Sequence, residues 1–223
     1  MRGDSADGMF EYYMTLNQYR VEASLARRLC DEAAPGLHWL QELGVEFPAQ
    51  DLYASGVESI PPGHTARGNG AAIAAALEAE VHKRDIEVIT RTRIEQLILD
   101  DSKRVRGIRS GSSVVKAGAV VITTGGFGAN PYLLQQHYPD ATRHGSAAWY
   151  IGNMNCVGDG LEIARQAGAD IVGHNRGLLL TTPNFRKVLE VFVPGWLVYV
   201  NREGRRFVKE TAEYAVMSGV VGA

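Results

Sequence analysis

The chain has 223 residues, 22% of them charged, and a formal net charge of −2. That length can bury a core, and the charge is ordinary and carries no basic run, so neither a disordered chain nor a nucleic-acid partner is expected. Apolar stretches such as 191–200 contain Pro194 and Gly195 and fall short of the roughly 20 residues a membrane helix needs, and no apolar h-region follows Met1 to Asp7, so a cytoplasmic protein without a membrane span is expected.

From Asp7 to Leu43 the pattern is helical, with Leu25, Leu29, Ala33, Leu37 and Leu40 forming a stripe. Pro35-Gly36 predicts a break into two helices, and Gly44 predicts the stop. Residues 45–70, with Pro61-Pro62-Gly63, read as a long loop. An alanine-rich helix is predicted from Gly70 to Arg84, striped by Ile73, Leu77 and Val81, then a strand at Ile86 to Thr90. Arg93 to Leu99, Val105 to Arg109 and Val114 to Ala117 read as an antiparallel meander leading into a strand of a central sheet at Val120 to Thr124. Short helices are predicted from Pro131 to Tyr138 and from Gly160 to Ala167, the second started by Asp159 and ended by Gly168. Beyond Arg176 the pattern changes: Trp196 to Val200 and Arg206 to Val208 read as strands joined at Asn201 to Gly204. The order is that of an α/β protein.

Cys30 and Cys156 stand far apart with no CxxC, and the six histidines never take the spacing that puts two imidazoles on one helix face. No disulfide framework and no metal are expected.

Three stretches carry chemistry. Thr124-Gly125-Gly126 closes an apolar strand, and glycines there let something bulky approach the backbone, although a tight turn would use the same residues. Gly158-Asp159-Gly160 opens a helix, so Asp159 is either the cap of that helix or an acceptor for a cofactor hydroxyl. The third, Gly204-Arg205-Arg206-Phe207-Val208-Lys209-Glu210 followed by Tyr214, is a charged hairpin.

Taken in order after "WLQELGVEF" and the loop holding Gly63-His64, these stretches resemble the FAD-binding flavoprotein family of fumarate reductases, succinate dehydrogenases, L-aspartate oxidases and 3-ketosteroid dehydrogenases. The resemblance covers essentially the whole chain. It implies a partial Rossmann-like FAD-binding domain with an antiparallel β-meander over residues 1–176, and part of an α+β capping domain over 177–223. It implies FAD as cofactor, with the adenine near Ile94 and beside Thr124, Gly125 and Gly126, and with Gly158, Asp159 and Gly160 at the cofactor.

Two departures from the family pattern sharpen the expectation. No G-x-G-x-x-G turn is present, and the family's C-terminal segment is absent, so a fragment is expected that binds FAD weakly or not at all by itself. Fumarate reductases hold a dicarboxylate with a histidine after the G-D-G helix, an arginine after a glutamate, and an arginine four residues beyond the glutamate of G-x-R-F-x-x-E. Here Leu179-Leu180-Thr181-Thr182-Pro183 holds no histidine, Glu190 is followed by Val191-Phe192-Val193, and Tyr214 takes the last position. Two carboxylates need fixed cations, so the pattern points away from them and toward the 3-ketosteroid dehydrogenase branch, in which tyrosines bind the ketone or handle the proton. Tyr214 is the expected catalytic residue, and a small apolar ketone, cyclic or steroid-like, is the expected substrate; no particular electron acceptor is indicated. Packing at a domain hinge is the alternative for Tyr214, as packing is for Tyr12, Tyr13 and Tyr19. A non-catalytic remnant, or a dicarboxylate reductase using Arg176, Arg186 or Arg205, are the other readings.

Overall fold

In a computed structural model, which describes residues 5–53, 63–143, 145, 148–179, 198–210, 212, 216, 217, 219 and 220, the N-terminal helical stretch divides at a different point from Pro35. Helix α1 spans Ala6–Leu16 and α2 spans Ala23–Glu42, with Pro35 inside α2. Ser5 caps α1 by accepting from the Gly8 N–H at 3.0 Å. The helix ends where the Asn17 side chain donates to the Tyr13 carbonyl at 2.8 Å and Gln18 and Tyr19 turn left-handed, at φ 53° and 57°. Pro35 does not break α2 because it sits on the exposed face, where the Asp31 carbonyl deprived of its donor can be hydrated.

The buried face of α2 is also shifted from the predicted stripe. Ala26 and Cys30 are buried, whereas Leu25 and Leu29 are 70% and 51% exposed. Arg27 joins the two helices: its guanidinium lies 4.8 Å from the Phe10 ring centroid and 2.9 Å from Asp7. Gly44, at φ +91°, ends α2 as predicted, donating to the Gln41 carbonyl while Val45 donates to Leu40. This is the left-handed stop that glycine makes at no Cβ cost, and it buries Val45.

The chain divides into two units, one of Met1–Glu87 with Leu178–Ala223 and one of Val88–Gly177. In the first, the predicted loop holds a short 3-10 turn, Ala49–Asp51, and two paired strands, β1 (Leu52–Tyr53) and β2 (Gly63–His64). Helix α3 spans Asn69–Lys83, with its predicted stripe half-buried. Its exposed side carries Lys83 and Arg84 on Glu80.

The 198–210 hairpin belongs to the same unit and is reduced to one bridge, Val200 to Arg206. Trp196 and Leu197 of the predicted strand lie outside the described residues. Asn201 builds the turn, its side-chain oxygen accepting from Glu203 and Arg205 N–H at 3.1 and 2.9 Å. Glu210, its side chain 7% exposed, forks onto the Arg206 guanidinium and accepts the Tyr199 N–H at 3.0 Å. The Arg206 bond, then the backbone bonds, hold its carboxyl at about 2, well below the ordinary 4.5. A depressed carboxyl stabilises the fold above its unfolded value and loses that contribution as pH falls through the folded one. Acidifying from pH 5 to 2 is therefore expected to open this hairpin, read as loss of protection of the Tyr199 amide in hydrogen exchange. Glu210→Gln should remove the pH step, and a step that survives in Glu210→Gln assigns it elsewhere.

The second unit contains the meander as predicted: β3 (Gln96–Leu99), β4 (Val105–Ser110) and β5 (Ser113–Lys116) pair antiparallel with β4 in the middle. It also holds α4 (Pro131–His137) and α5 (Asp159–Gln166), the latter stopped by Gly168. The predicted strands at Ile86 to Thr90 and Val120 to Thr124 do not form, and no central sheet exists among the described residues. Val88 and Ile89 are 60% and 59% exposed, and Val121 is 84% exposed. A β-branched run becomes a strand only when another strand takes its N–H and C=O groups, and here none does.

Candidate functional site

The glycine-rich turn after Val120 and the helix entry at Gly158 lie far apart in sequence and close on each other in the fold. The Gly158 N–H donates to the Gly126 carbonyl at 3.1 Å, and the Ala129 N–H donates to Cys156 at 3.0 Å. Asn130 fastens the pair: its side-chain oxygen caps α4, accepting from Tyr132 and Leu133 at 3.1 and 3.2 Å, while its amide donates to the Val157 carbonyl at 3.0 Å. Asparagine before a proline at the first helical position is the sequence signature of such a cap, but its second bond to Val157 has no local signal.

Glycine is required at this junction for reasons of space. A Cβ on Gly160 would collide with Thr124 Oγ1 and lie 2.8 Å from Ile122 Cγ2, so Thr124 and the first turn of α5 are in direct contact. Gly158, at φ +92°, would strike Leu133, and Gly125, at φ +76°, would meet Cys156 Sγ at 2.9 Å. Gly126 differs from all of these. Among the described residues, its chain neighbours aside, a Cβ there would meet nothing within 4 Å, and its φ is not left-handed. Its backbone borders open space.

Asp159 is not the cap of α5. The N-cap is Gly158, with no side-chain bond, and Asp159 occupies the first helical position. Its carboxylate instead reaches Arg93, Oδ1 lying 2.6 Å from the guanidinium, with the aspartate side chain 31% exposed and the arginine 70%. Arg93 immediately precedes Ile94, a half-buried residue in the segment entering β3. Thus Gly126 meets Gly158 and Thr124 meets Gly160, and Asp159, between those two glycines, is paired with Arg93 next to Ile94. Tyr214 lies outside the described residues, as do Thr181, Thr182, Pro183, Glu190 and Arg186.

Residues that sequence reasoning passed over complete the junction. Cys156 is free and half-buried against Gly125. It is hydrogen-bonded to the Tyr150 hydroxyl, which that bond and then burial push up from the ordinary tyrosine value. Phe127 packs edge-on against His137, centroids 5.8 Å apart. Chemically, the junction offers a bare peptide edge at Gly126, a carboxylate already oriented by a guanidinium, and an aromatic ring beside them.

A family model described as FAD binding domain matches residues 1–223. The vinyl phenol reductase of Lactiplantibacillus plantarum is 27% identical over 230 residues, which is 94% of this chain and 45% of that protein. The fumarate reductase (cytochrome) of Shewanella frigidimarina is 29% identical over 218 residues, 93% of this chain and 37% of that protein. The chain thus spans less than half the length of these curated relatives. Among solved structures, a 3-ketosteroid-Δ4-(5α)-dehydrogenase from Rhodococcus jostii aligns over 98% of this chain and 51% of its own, with TM-score 0.75 and 20% identity. The open conformation of a flavocytochrome c3 fumarate reductase aligns over 75% of this chain and 30% of its own, with TM-score 0.66 and 23% identity. At such identities these likenesses carry the fold, one of helices and small antiparallel sheets, and not the substrate. No described helix is long and apolar enough to cross a membrane. With the family model matched from end to end, the chain belongs to the FAD binding domain family.

Proposed function

We propose that this chain forms the adenosine-side wall of an FAD site and part of a substrate cap, in an oxidoreductase that moves a hydride between flavin and an apolar, cyclic or steroid-like ketone. In this reading residues 1–176 are a partial Rossmann-like FAD-binding domain and 177–223 are part of an α+β capping domain. The observation that carries the cofactor half is the closure of the Thr124–Gly126 turn onto the Gly158–Gly160 turn, with open space left over Gly126. Those residues fit a nucleotide: bare backbone admits a flat base, and a carboxylate is the natural acceptor for a ribose or ribityl hydroxyl. The Arg93 contact involves Oδ1 of Asp159, and a carboxylate has two oxygens, so the ion pair orients the group without exhausting it. In this reading Ile94, next to Arg93, lies at the adenine.

Bound FAD supplies the hydride-transferring ring. What the chain adds on the substrate side is read from sequence: no histidine in 179–183, no arginine after Glu190, and a phenol at 214 where a dicarboxylate enzyme has a cation. Tyr214 donates a hydrogen bond to the ketone or carries its proton. The fumarate reductases among the relatives favour a second reading, dicarboxylate reduction, which requires Arg176, Arg186 or Arg205 to reach the substrate.

The test uses the full-length protein that contains this chain, loaded with FAD. Stopped-flow absorbance should show the flavin reduced or reoxidised by a 3-ketosteroid such as 4-androstene-3,17-dione or its saturated counterpart. Tyr214→Phe should slow that step by about 10²- to 10⁴-fold with FAD content unchanged. Rapid reoxidation of reduced flavin by fumarate, with ketosteroids inert, would sink the proposal in favour of the second reading.

A further inference from the structure

Tyr150 is the aromatic side chain set against the glycine junction, and its seating is built from missing side chains. A Cβ on Gly128 would collide with one edge of its ring, and a Cβ on Gly152 would collide with its hydroxyl end. Neither glycine has a left-handed φ, so neither is there for backbone freedom. Both leave room for the ring. The hydroxyl is hydrogen-bonded to Cys156, whose sulfur sits where a Cβ on Gly125 would point. The ring is thereby held at both ends and linked through one side chain to the Gly125-Gly126 turn, yet it stays 38% exposed. A tyrosine this restrained has little conformational entropy left to lose when a flat ligand meets its face.

The geometry points to Tyr150 as a further nucleotide-binding residue, an aromatic wall on which the adenine of the cofactor packs where it lies over Gly126. This rests on the reading of Thr124–Gly126 as part of an adenosine pocket. An adenine is planar and weakly polar on its faces, so bare backbone on one side and an aromatic ring on the other match its surfaces. The hydroxyl, engaged by Cys156, serves to fix the ring. The ring is therefore the active element, and phenylalanine should replace it.

Saturation-transfer NMR on the full-length protein that contains this chain, stripped of flavin and given millimolar ADP or FAD, tests this. The adenine protons should be saturated by the wild type, and Tyr150→Leu should weaken ADP binding about tenfold, within the range of aromatic–base stacking. Tyr150→Phe should stay within about twofold. Gly152→Ala, which displaces the ring without removing it, should weaken binding in the same direction, and thermal melting of each variant checks that the fold persists. If ADP binds and Gly126→Val abolishes it while Tyr150→Leu and Gly152→Ala do not, the adenosine pocket stands and the role of Tyr150 is overturned. If the wild type saturates no adenine proton, or Gly126→Val leaves binding intact, the pocket reading fails and Tyr150 with it.

Discussion

Gly126→Val is expected to leave the fold intact and to remove nucleotide binding. Among the described residues, and apart from its own chain neighbours, nothing lies within 4 Å of where its Cβ would stand, and the backbone there is not left-handed. The substitution therefore costs neither overpacking nor φ strain, and melting should move by about a degree or less, as for a surface site. What it fills is the space over the turn. An isopropyl group placed against a flat base holds the base off the backbone and forfeits its contacts, and a tenfold or greater loss of ADP or FAD affinity is expected. Equilibrium titration beside a thermal melt separates the two effects. Unchanged affinity with an unchanged melt would show that no ligand uses the face of Gly126.

Gly160→Val should behave in the opposite way. Its Cβ would collide with Thr124 Oγ1 and press on Ile122, in the buried first turn of α5. Thr124 cannot yield far, because the turn after it is tied to Gly158 through the Gly126 carbonyl. Overpacking of this kind costs about 1–3 kcal/mol, and the melting midpoint should fall by roughly 2–10 °C. Nucleotide affinity should fall with it, since the two turns of the proposed pocket are pushed apart. A stable Gly160→Val chain with normal binding would mean that Thr124 and α5 are not in contact, and with them the pocket would lose one wall.

Side by side, these two glycines show what a glycine count cannot. Gly126 and Gly160 are indistinguishable in the sequence, each sitting in a small-residue cluster beside a helix. One is bare toward open space and the other toward its own fold, and that difference depends on what folds against each of them.

Much of the site was nevertheless legible. Thr124, Gly125, Gly126, Gly158 and Gly160 were selected from sequence, and they meet in space because each cluster sits at the start of a short helix and those starts converge. Asp159 was legible as a residue but not in its local role. Its reading as a cap fell only once Gly158 was seen in the cap position and its carboxylate on Arg93, 66 residues away. Arg93 had no signal at all, being one of many exposed arginines until its partner was known. Tyr150 and the second bond of Asn130 are of the same kind, set by side chains that converge from loops with no periodicity to read.

The strands divide along a similar line. β3 to β5 were readable because a meander carries its own partners and the turns between them are short. Ile86 to Thr90 and Val120 to Thr124 have equally good strand sequences, yet stay unpaired among the described residues. Strand propensity is local, but the hydrogen bonds that realise it belong to another segment. Pro35 is the helical counterpart: its ring removes one donor wherever it stands, but whether that ends a helix depends on whether the orphaned carbonyl can face water.

By itself, then, the sequence determined the later helices and the glycine stops, the meander, the family and the residue types of the proposed cofactor wall, since each follows from local backbone preference or from short spacing. Tertiary structure alone decided which glycines face open space, which cation holds Asp159 and which aromatic ring borders the turn. Those are contacts between segments distant in the chain, and their energies exist only once the segments are brought together.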